Sequence, residues 1–412
     1  MNARDRNIDL ATIIENELVE THFQPLVSIK KKSIVGFEAL SRGKNPGHPY
    51  LIPPDIIFKE AAREGLTVQL DRLCRKKAIE NFCPLYHRDE KLILSINIDP
   101  AILTEDTVGS NHLLDLAAST SIHPGRILIE IIESEIASVE SLAKFINTYR
   151  AKGFLMALDD IGTGFSNLDR IALVKPDILK IDKSLIRSIH SERHGREIIR
   201  SIVTLAHRIG SLVIAEGIET EEEVHSLLEL DIDFLQGYYF AAPCADMIPL
   251  IEKTEGAISA IAKKYKESAV KKITGKKLLH REYSAIIKDF IDELSRRGPE
   301  EFEAALETLV QANPHLECAY IIDEYGTQMT GTVFYHDRIL HAPSFLFQPG
   351  IVGTDQSSKD YFFLVSGGLP KYTTEPYISL ATGNICITIS MPFTDNGNDK
   401  YILCLDIVDE TA

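Results

Sequence analysis

Between about residues 20 and 242 the chain alternates two hydrophobic rhythms. Short runs rich in Val, Ile, Leu and Phe each carry a polar residue near the end, and longer segments with apolar positions three and four apart lie between many of them. The runs are 23–29 (FQPLVSI), 34–40 (IVGFEAL), 92–98 (LILSINI), 126–132 (RILIEII), 154–160 (FLMALDD), 177–182 (DILKID), 212–217 (LVIAEG) and 234–240 (FLQGYYF). Segments 54–64, 68–87, 134–152, 194–208 and 220–230 carry the helical spacing. Strands alternating with helices give an α/β fold, and eight strands over this length predict a β/α barrel. Only residues 30–33 separate the first two runs, too few for the crossover that parallel neighbours need. The first strand is therefore expected to be antiparallel, making this a modified TIM (β/α)8 barrel.

After Pro249 the pattern becomes a long charged helix over 253–297, with a break expected at Gly275 and a stop at Gly298-Pro299. A further helix (299–311) leads into strands at 316–323, 375–380, 385–393 and 401–408, with turn signals at 324–326 and 396–397, which predict an antiparallel sheet. The expected division is a barrel over 1–250, a helical connector over 251–298 and an α+β domain over 299–412.

Charge narrows the functional classes. Forty-four Lys and Arg against sixty Asp and Glu leave a net charge of −16, which disfavours a nucleic-acid polymer as partner. The stretch 263–281 holds eight Lys or Arg and one Glu. An anionic partner would use such a stretch, but a solvated helix face is the commoner reading. No apolar run reaches the ~20 residues of a membrane span and the N-terminus has no signal-peptide core, so a cytoplasmic protein is expected. The six cysteines form no CxxC pair and read as reduced packing residues.

Barrel chemistry gathers at the carboxyl ends of the strands. Those ends offer Glu38, Asn97, Glu130 with Glu133, Asp159 with Asp160, Lys180, Glu216 with Glu219, and Gln236. A single acid at a strand end is commonly a helix cap. Acids inside apolar β runs, such as Glu38 and Glu130, are rarely buried unless paired or metal-bound. Glu38, Glu130, Asp159, Asp160 and Glu216 would repel one another, and Lys180 supplies one positive charge. An all-oxygen donor set favours Mg²⁺ or Mn²⁺ over zinc, and the adjacent Asp159 and Asp160 can serve two ions, an arrangement suited to phosphoester hydrolysis. The Gly-rich segment 161–167 that follows fits a tight βα turn or a phosphate cradle equally well.

These motifs resemble the EAL family of cyclic di-GMP phosphodiesterases: FQPLVS, EALSR (38–42), SINI (95–98), IEIIE (129–133), DDIGTGFSNL (159–168), LKID (179–182), AEGIE (215–219) and QGYYF (236–240). The resemblance implies hydrolysis of cyclic di-GMP to the linear dinucleotide pGpG with two Mg²⁺ or Mn²⁺ ions. By it, Glu38, Asn97, Glu130, Asp159 and Asp160 hold the metals. Lys180 and Glu216 belong to the catalytic set with Glu133, which together with Glu219 and the 162–167 loop supports the site and a homodimer contact. Gln24, Arg42 and Gln236 are the substrate-binding set, with Gln236 also orienting metal-bound water. Ser41, Gly43 and Ile161 depart from the usual pattern at positions that touch substrate fit. The C-terminal region resembles a Cache or PAS-like sensor, through 355–362 and the strand 385–393, and would take an unknown small-molecule ligand or protein partner. The alternatives are a catalytically weak cyclic di-GMP receptor, which would lack a metal ligand or the lysine, and a two-carboxylate glycosidase, which would need no metal.

Overall fold

The computed structural model describes residues 8–45, 50–99, 111–132, 139–163, 168–187, 189, 193–336 and 347–408. The chain divides into two compact units, Met1–Ser268 and Ala269–Ala412.

The first unit contains β1 (Val19–Ser28), β2 (Ser33–Lys44), β3 (Leu51–Ile52), β4 (Ile93–Ile98), β5 (Ile127–Ile132), β6 (Leu155–Ile161), β7 (Ile178–Ile181), β8 (Leu212–Ala215) and β9 (Phe234–Leu235). Their order is β1-β9-β8-β7-β6-β5-β4-β2-β3, and β1 also pairs β2, which closes an eight-stranded barrel with β3 as an extension. β1 runs antiparallel to both neighbours, while β2 and β4 through β9 pair in parallel. The hairpin expected from the short β1–β2 link is present, in register from Val19↔Gly43 to Ser28↔Ser33 with a bulge at Leu26/Val27.

Outer helices Pro54–Glu64, Thr67–Tyr86, Val139–Ala151, Arg193–Ile209 and Glu221–Glu229 fall where the apolar spacing places them. Helices Leu10–Glu15, His112–Ser119 and Leu168–Val174 were not among the expected elements. Thr220 caps the last of the outer helices in a reciprocal box with Glu223. Alternate residues of the parallel strands point outward into one large core with these helices, including Ile127, Ile129 and Ile131 of β5.

The helix expected over 253–297 is longer and unbroken, Met247–Leu294. Gly275 does not interrupt it, because glycine inside a helix costs only ~1 kcal/mol relative to alanine. Ile258 and Ile261 pack into the barrel's core, and Ile287, Phe290 and Leu294 into that of the second unit. Residues 271–282, covering much of the basic stretch, are exposed, as in a solvated face. No helix among the described residues is long and apolar enough to cross a membrane.

The second unit is α+β. Its strands are β10 (Leu316–Asp323), β11 (Val333–Phe334), β12 (Tyr372–Thr373), β13 (Tyr377–Ile378), β14 (Ile385–Thr394) and β15 (Lys400–Val408), ordered β11-β10-β15-β14-β12 with β13 also on β14. Helix Phe302–Gln311 packs on one face and helix Asp360–Ser366 on the other.

Candidate functional site

The period-two alternation of the strands builds the site. Inside the barrel, Leu26, Leu128, Ala157, Ile178, Ile214 and Phe234 form a buried apolar layer, with Ile93 and Leu155 packed against it. Two residues on along the parallel strands, or two back along the antiparallel β1, the same face carries Gln24, Ser95, Glu130, Asp159, Lys180, Glu216 and Gln236. The polar set is thus the next layer of the barrel interior, standing on a dry floor.

Lys180 is its centre. Its Nζ lies 2.5 Å from Glu216 Oε1, 2.7 Å from Glu130 Oε1, 3.5 Å from Asp159 Oδ1 and 3.6 Å from Glu38 Oε2. The lysine side chain is 1% exposed and that of Glu130 0%, whereas Glu216, at 19%, is the most accessible of the four acids. Asn97 Nδ2 donates to Glu38 Oε1 at 3.0 Å and Gln236 Nε2 to Glu38 Oε2 at 2.6 Å. Gln236 Nε2 also donates to Gln24 Oε1 at 3.0 Å, and Gln24 Nε2 to the Ala241 carbonyl at 3.1 Å. The turn after Gln236 depends on Gly237: a Cβ there would meet the Ile218 backbone at 2.1 Å. Asp160 takes a left-handed φ of 60° at the register shift between β6 and β7, and its N–H donates to Asp159 Oδ1 at 2.9 Å.

Four carboxylates share one ammonium. Burial pushes Glu130 well above the usual carboxylate range, and Glu38, Asp159 and Glu216 push it further against the pull of Lys180. Burial likewise raises Asp159, and raises Glu216 to about 8. Burial also pushes Glu38 upward, but Lys180 and the hydrogen bonds from Gln236 and Asn97 outweigh it, and Glu38 ends below its ordinary value. Burial disfavours the Lys180 charge, yet the surrounding acids hold its pKa well above the ordinary lysine value.

This cluster is short of positive charge. Glu130 Oε2 and Gln236 Oε1 are buried with no hydrogen-bond partner among the described residues. Oxygen-only donors with unspent lone pairs fit a hard divalent cation. Among the described residues no three acidic, His or Cys side chains make a ready cation cage; the acids close on the lysine.

Of the residues singled out from sequence, Glu38, Asn97, Glu130, Asp159, Lys180, Glu216, Gln236 and Gln24 come together here. Arg42 is half-buried and donates to the Ser41 carbonyl at 2.9 Å. Glu219 is exposed, and its backbone N–H donates to Glu223 Oε2 at 2.8 Å. Glu133 and residues 164–167 of the glycine-rich loop lie outside the described residues. Sequence reading passed over Ser95, whose Oγ donates to Glu130 Oε1 at 2.5 Å; its place two residues before Asn97 on one strand face was the available signal. It also passed over Asp71 and Arg75, a buried ion pair spaced four apart on one helix. With Glu38, Ser41, Phe58 and Asn97 this pair lines a cavity of about 740 Å³ beside the acids.

Comparison with known proteins places the chain. Residues 7–243 match the EAL domain. The probable cyclic di-GMP phosphodiesterase PdeB of Escherichia coli (strain K12) is 30% identical over 246 residues, 59% of this chain and 46% of that protein. The chain therefore spans about half the length of that curated relative. YkuI of Bacillus subtilis (strain 168), an uncharacterized EAL-domain containing protein, is 27% identical over 409 residues and 94% of each chain. The crystal structure of YkuI in complex with substrate c-di-GMP and calcium matches with a TM-score of 0.81 at 24% identity, over 98% of this chain and 100% of that one, so the two-unit architecture is shared. Klebsiella pneumoniae BlrP1, solved as a manganese and cyclic di-GMP complex, matches with a TM-score of 0.50 at 31% identity, over 55% of this chain and 56% of that one.

Proposed function

The chain belongs to the EAL-domain family, and from that premise we propose that it is a phosphodiesterase that hydrolyses one ester bond of cyclic di-GMP to linear pGpG with two divalent cations, Mg²⁺ or Mn²⁺. The observation that carries this reading is the buried layer in which Glu38, Glu130, Asp159 and Glu216 surround Lys180. Glu38, Asn97, Glu130, Asp159 and Asp160 would hold the cations. When bound, these would neutralise the substrate phosphate and make a water molecule more acidic.

The chain's own groups divide the remaining work. Lys180, set among the four acids, holds and orients the attacking water and helps draw off its proton. Glu216, the most accessible of the four acids, takes that proton. The water oxygen bonds to phosphorus as its proton passes to Glu216, the bond to the ribose oxygen breaks, and that oxygen takes up a proton from solvent. Gln236 and Gln24 brace Glu38, and Arg42, at the end of the same strand, meets a substrate phosphate. Glu133 supports this set. The cavity beside the acids receives the nucleotide.

The reading extends to a cytoplasmic homodimer whose second unit regulates the barrel. A receptor that binds without hydrolysis would have lost a cation-holding residue or the lysine, and each is present in the sequence. Chromatography of cyclic di-GMP incubated with the pure protein tests the proposal: pGpG should accumulate with Mg²⁺ or Mn²⁺ and not with chelator. Persistent intact nucleotide under all cation conditions would refute it.

A further inference from the structure

The second unit holds a cavity of about 720 Å³ that the reaction above does not use. It belongs to the sheet face turned away from the main core of that unit. Along β10, Ala319 and Ile321 enter that core while Tyr320 and Ile322 pack on the opposite face; along β15, Leu403, Leu405 and Ile407 alternate with Ile402 and Cys404. The next position of that alternation is Asp406, which is part of the cavity wall and only 3% exposed.

Asp406 is a buried acid on a central strand with no counter-charge among the described residues. Its Oδ1 accepts from Thr388 Oγ1 at 2.7 Å, and the Thr388 hydroxyl shares a 2.7 Å hydrogen bond with Tyr377. Among the described residues its Oδ2 accepts only from the Cys318 thiol, at 3.5 Å. No Lys, Arg or His among the described residues acts on it. Buried carboxylates are normally matched by a cation, and here the unmatched one borders a space large enough for a ligand.

The rest of the wall has matching chemistry. Tyr320, Tyr361, Tyr372 and Tyr377 all line the cavity, and the Tyr320 and Tyr361 rings meet edge to face with centroids 6.3 Å apart. Tyr361 is fixed by its hydroxyl, which donates to Gln356 Oε1 at 3.1 Å, and Gln356 Nε2 in turn donates to Gln328 Oε1 at 3.0 Å. Asp355, Asp360 and Glu375 add acids to the lining, against the base Lys359 among its described residues. Carboxylate and aromatic faces together recognise ammonium groups.

We propose that this cavity binds a small organic cation, an amine or quaternary ammonium, with its charged nitrogen against Asp406 and the tyrosines around it. Burial pushes Asp406 up to about 6, so at neutral pH it is charged, and a bound cation would relieve that unfavourable burial. The site is independent of whether the barrel hydrolyses a nucleotide.

Isothermal titration of the full chain with choline, ethanolamine and putrescine tests the proposal, against the uncharged carbon isostere of choline and against acetate and succinate. At least one amine should bind saturably and the isostere should not. Asp406→Asn, which keeps an oxygen for Thr388, should weaken that binding about tenfold or more, while Lys180→Met should leave it unchanged. If Asp406→Asn fails to fold, Tyr372→Ala, at a half-buried lining position, should weaken it several-fold. Failure of all three amines to bind, equal binding of the isostere, preference for a carboxylate, or unchanged amine affinity in the folded Asp406→Asn variant would each overturn the proposal.

Discussion

Replacing Lys180 by methionine removes the cation that four carboxylates share. At an effective dielectric of about 20, each contact near 2.6 Å is worth about 6 kcal/mol of attraction and each near 3.5 Å about 5 kcal/mol, before desolvation and mutual repulsion cancel most of the sum. Breaking a buried ion pair from one side typically costs about 3–5 kcal/mol net. For a unit of this size that lowers the melting temperature by about 6–20 °C. The loss should deepen as pH rises. Without the lysine the folded-state pKa values of Glu130, Asp159 and Glu216, already raised, rise further above the unfolded values. The folded barrel then binds more protons than the unfolded chain, so stability falls with increasing pH through that window. Added Mn²⁺ should recover more stability in the variant than in the parent, because the cation meets charges the lysine no longer does. Calorimetry at several pH values, with chelator and with Mn²⁺, reads all of this, and product chromatography should show turnover lost. A variant as stable as the parent in chelator at pH 8, with no larger response to Mn²⁺, would refute the charge-sharing argument.

Other outcomes follow from the same structure. Gly237→Ala places a Cβ against the Ile218 backbone; it should cost about 1–3 kcal/mol in a denaturation curve and depress turnover by displacing Gln236, and unchanged kinetics would separate Gln236 from the reaction. Asp406 has a folded pKa raised from 3.8 to about 6 by burial, so the folded state holds its proton more tightly. The second unit should therefore lose about 3 kcal/mol as pH rises from about 4 to 6, a loss that Asp406→Asn should abolish in pH-dependent melts. If the second unit regulates the barrel, a chain ending at Ser268 should differ from the full chain in turnover or in dimer affinity, and identical kinetics and sedimentation would make that unit passive.

Much of this was legible because a barrel strand imposes period two. Each run announced itself by β-branched residues, and an acid or lysine interrupting one had to be paired, which singled out Glu38, Glu130 and Lys180 before any geometry. Their place toward the carboxyl ends of the runs was legible, whereas their meeting as one interior layer was not, because depth depends on register and register is set by pairing across strands. Ser95 was invisible for the same reason: a lone serine in a strand gains meaning only beside Glu130. The pair Asp71 and Arg75 reads as an ordinary surface spacing on a helix until packing buries it. Gly275 misled in the other direction, since a helix can carry one glycine through a solvated stretch. The short strands β11, β12 and β13 have two residues each, and of these only the third lay within an expected run, because pairing partners and not local pattern create such strands.

If the acid layer around Lys180 carries the proposed reaction, hydrolysis of cyclic di-GMP should scale with the divalent cation it holds. Titrating Mn²⁺ into the cation-free protein, while bound Mn²⁺ is followed by electron paramagnetic resonance and pGpG by chromatography on the same samples, tests it most directly. No pGpG should form before cation binds, and the rate should climb with bound Mn²⁺ until two equivalents are held. Hydrolysis at full rate in the cation-free sample, or saturation with bound Mn²⁺ while cyclic di-GMP stays intact, would contradict it.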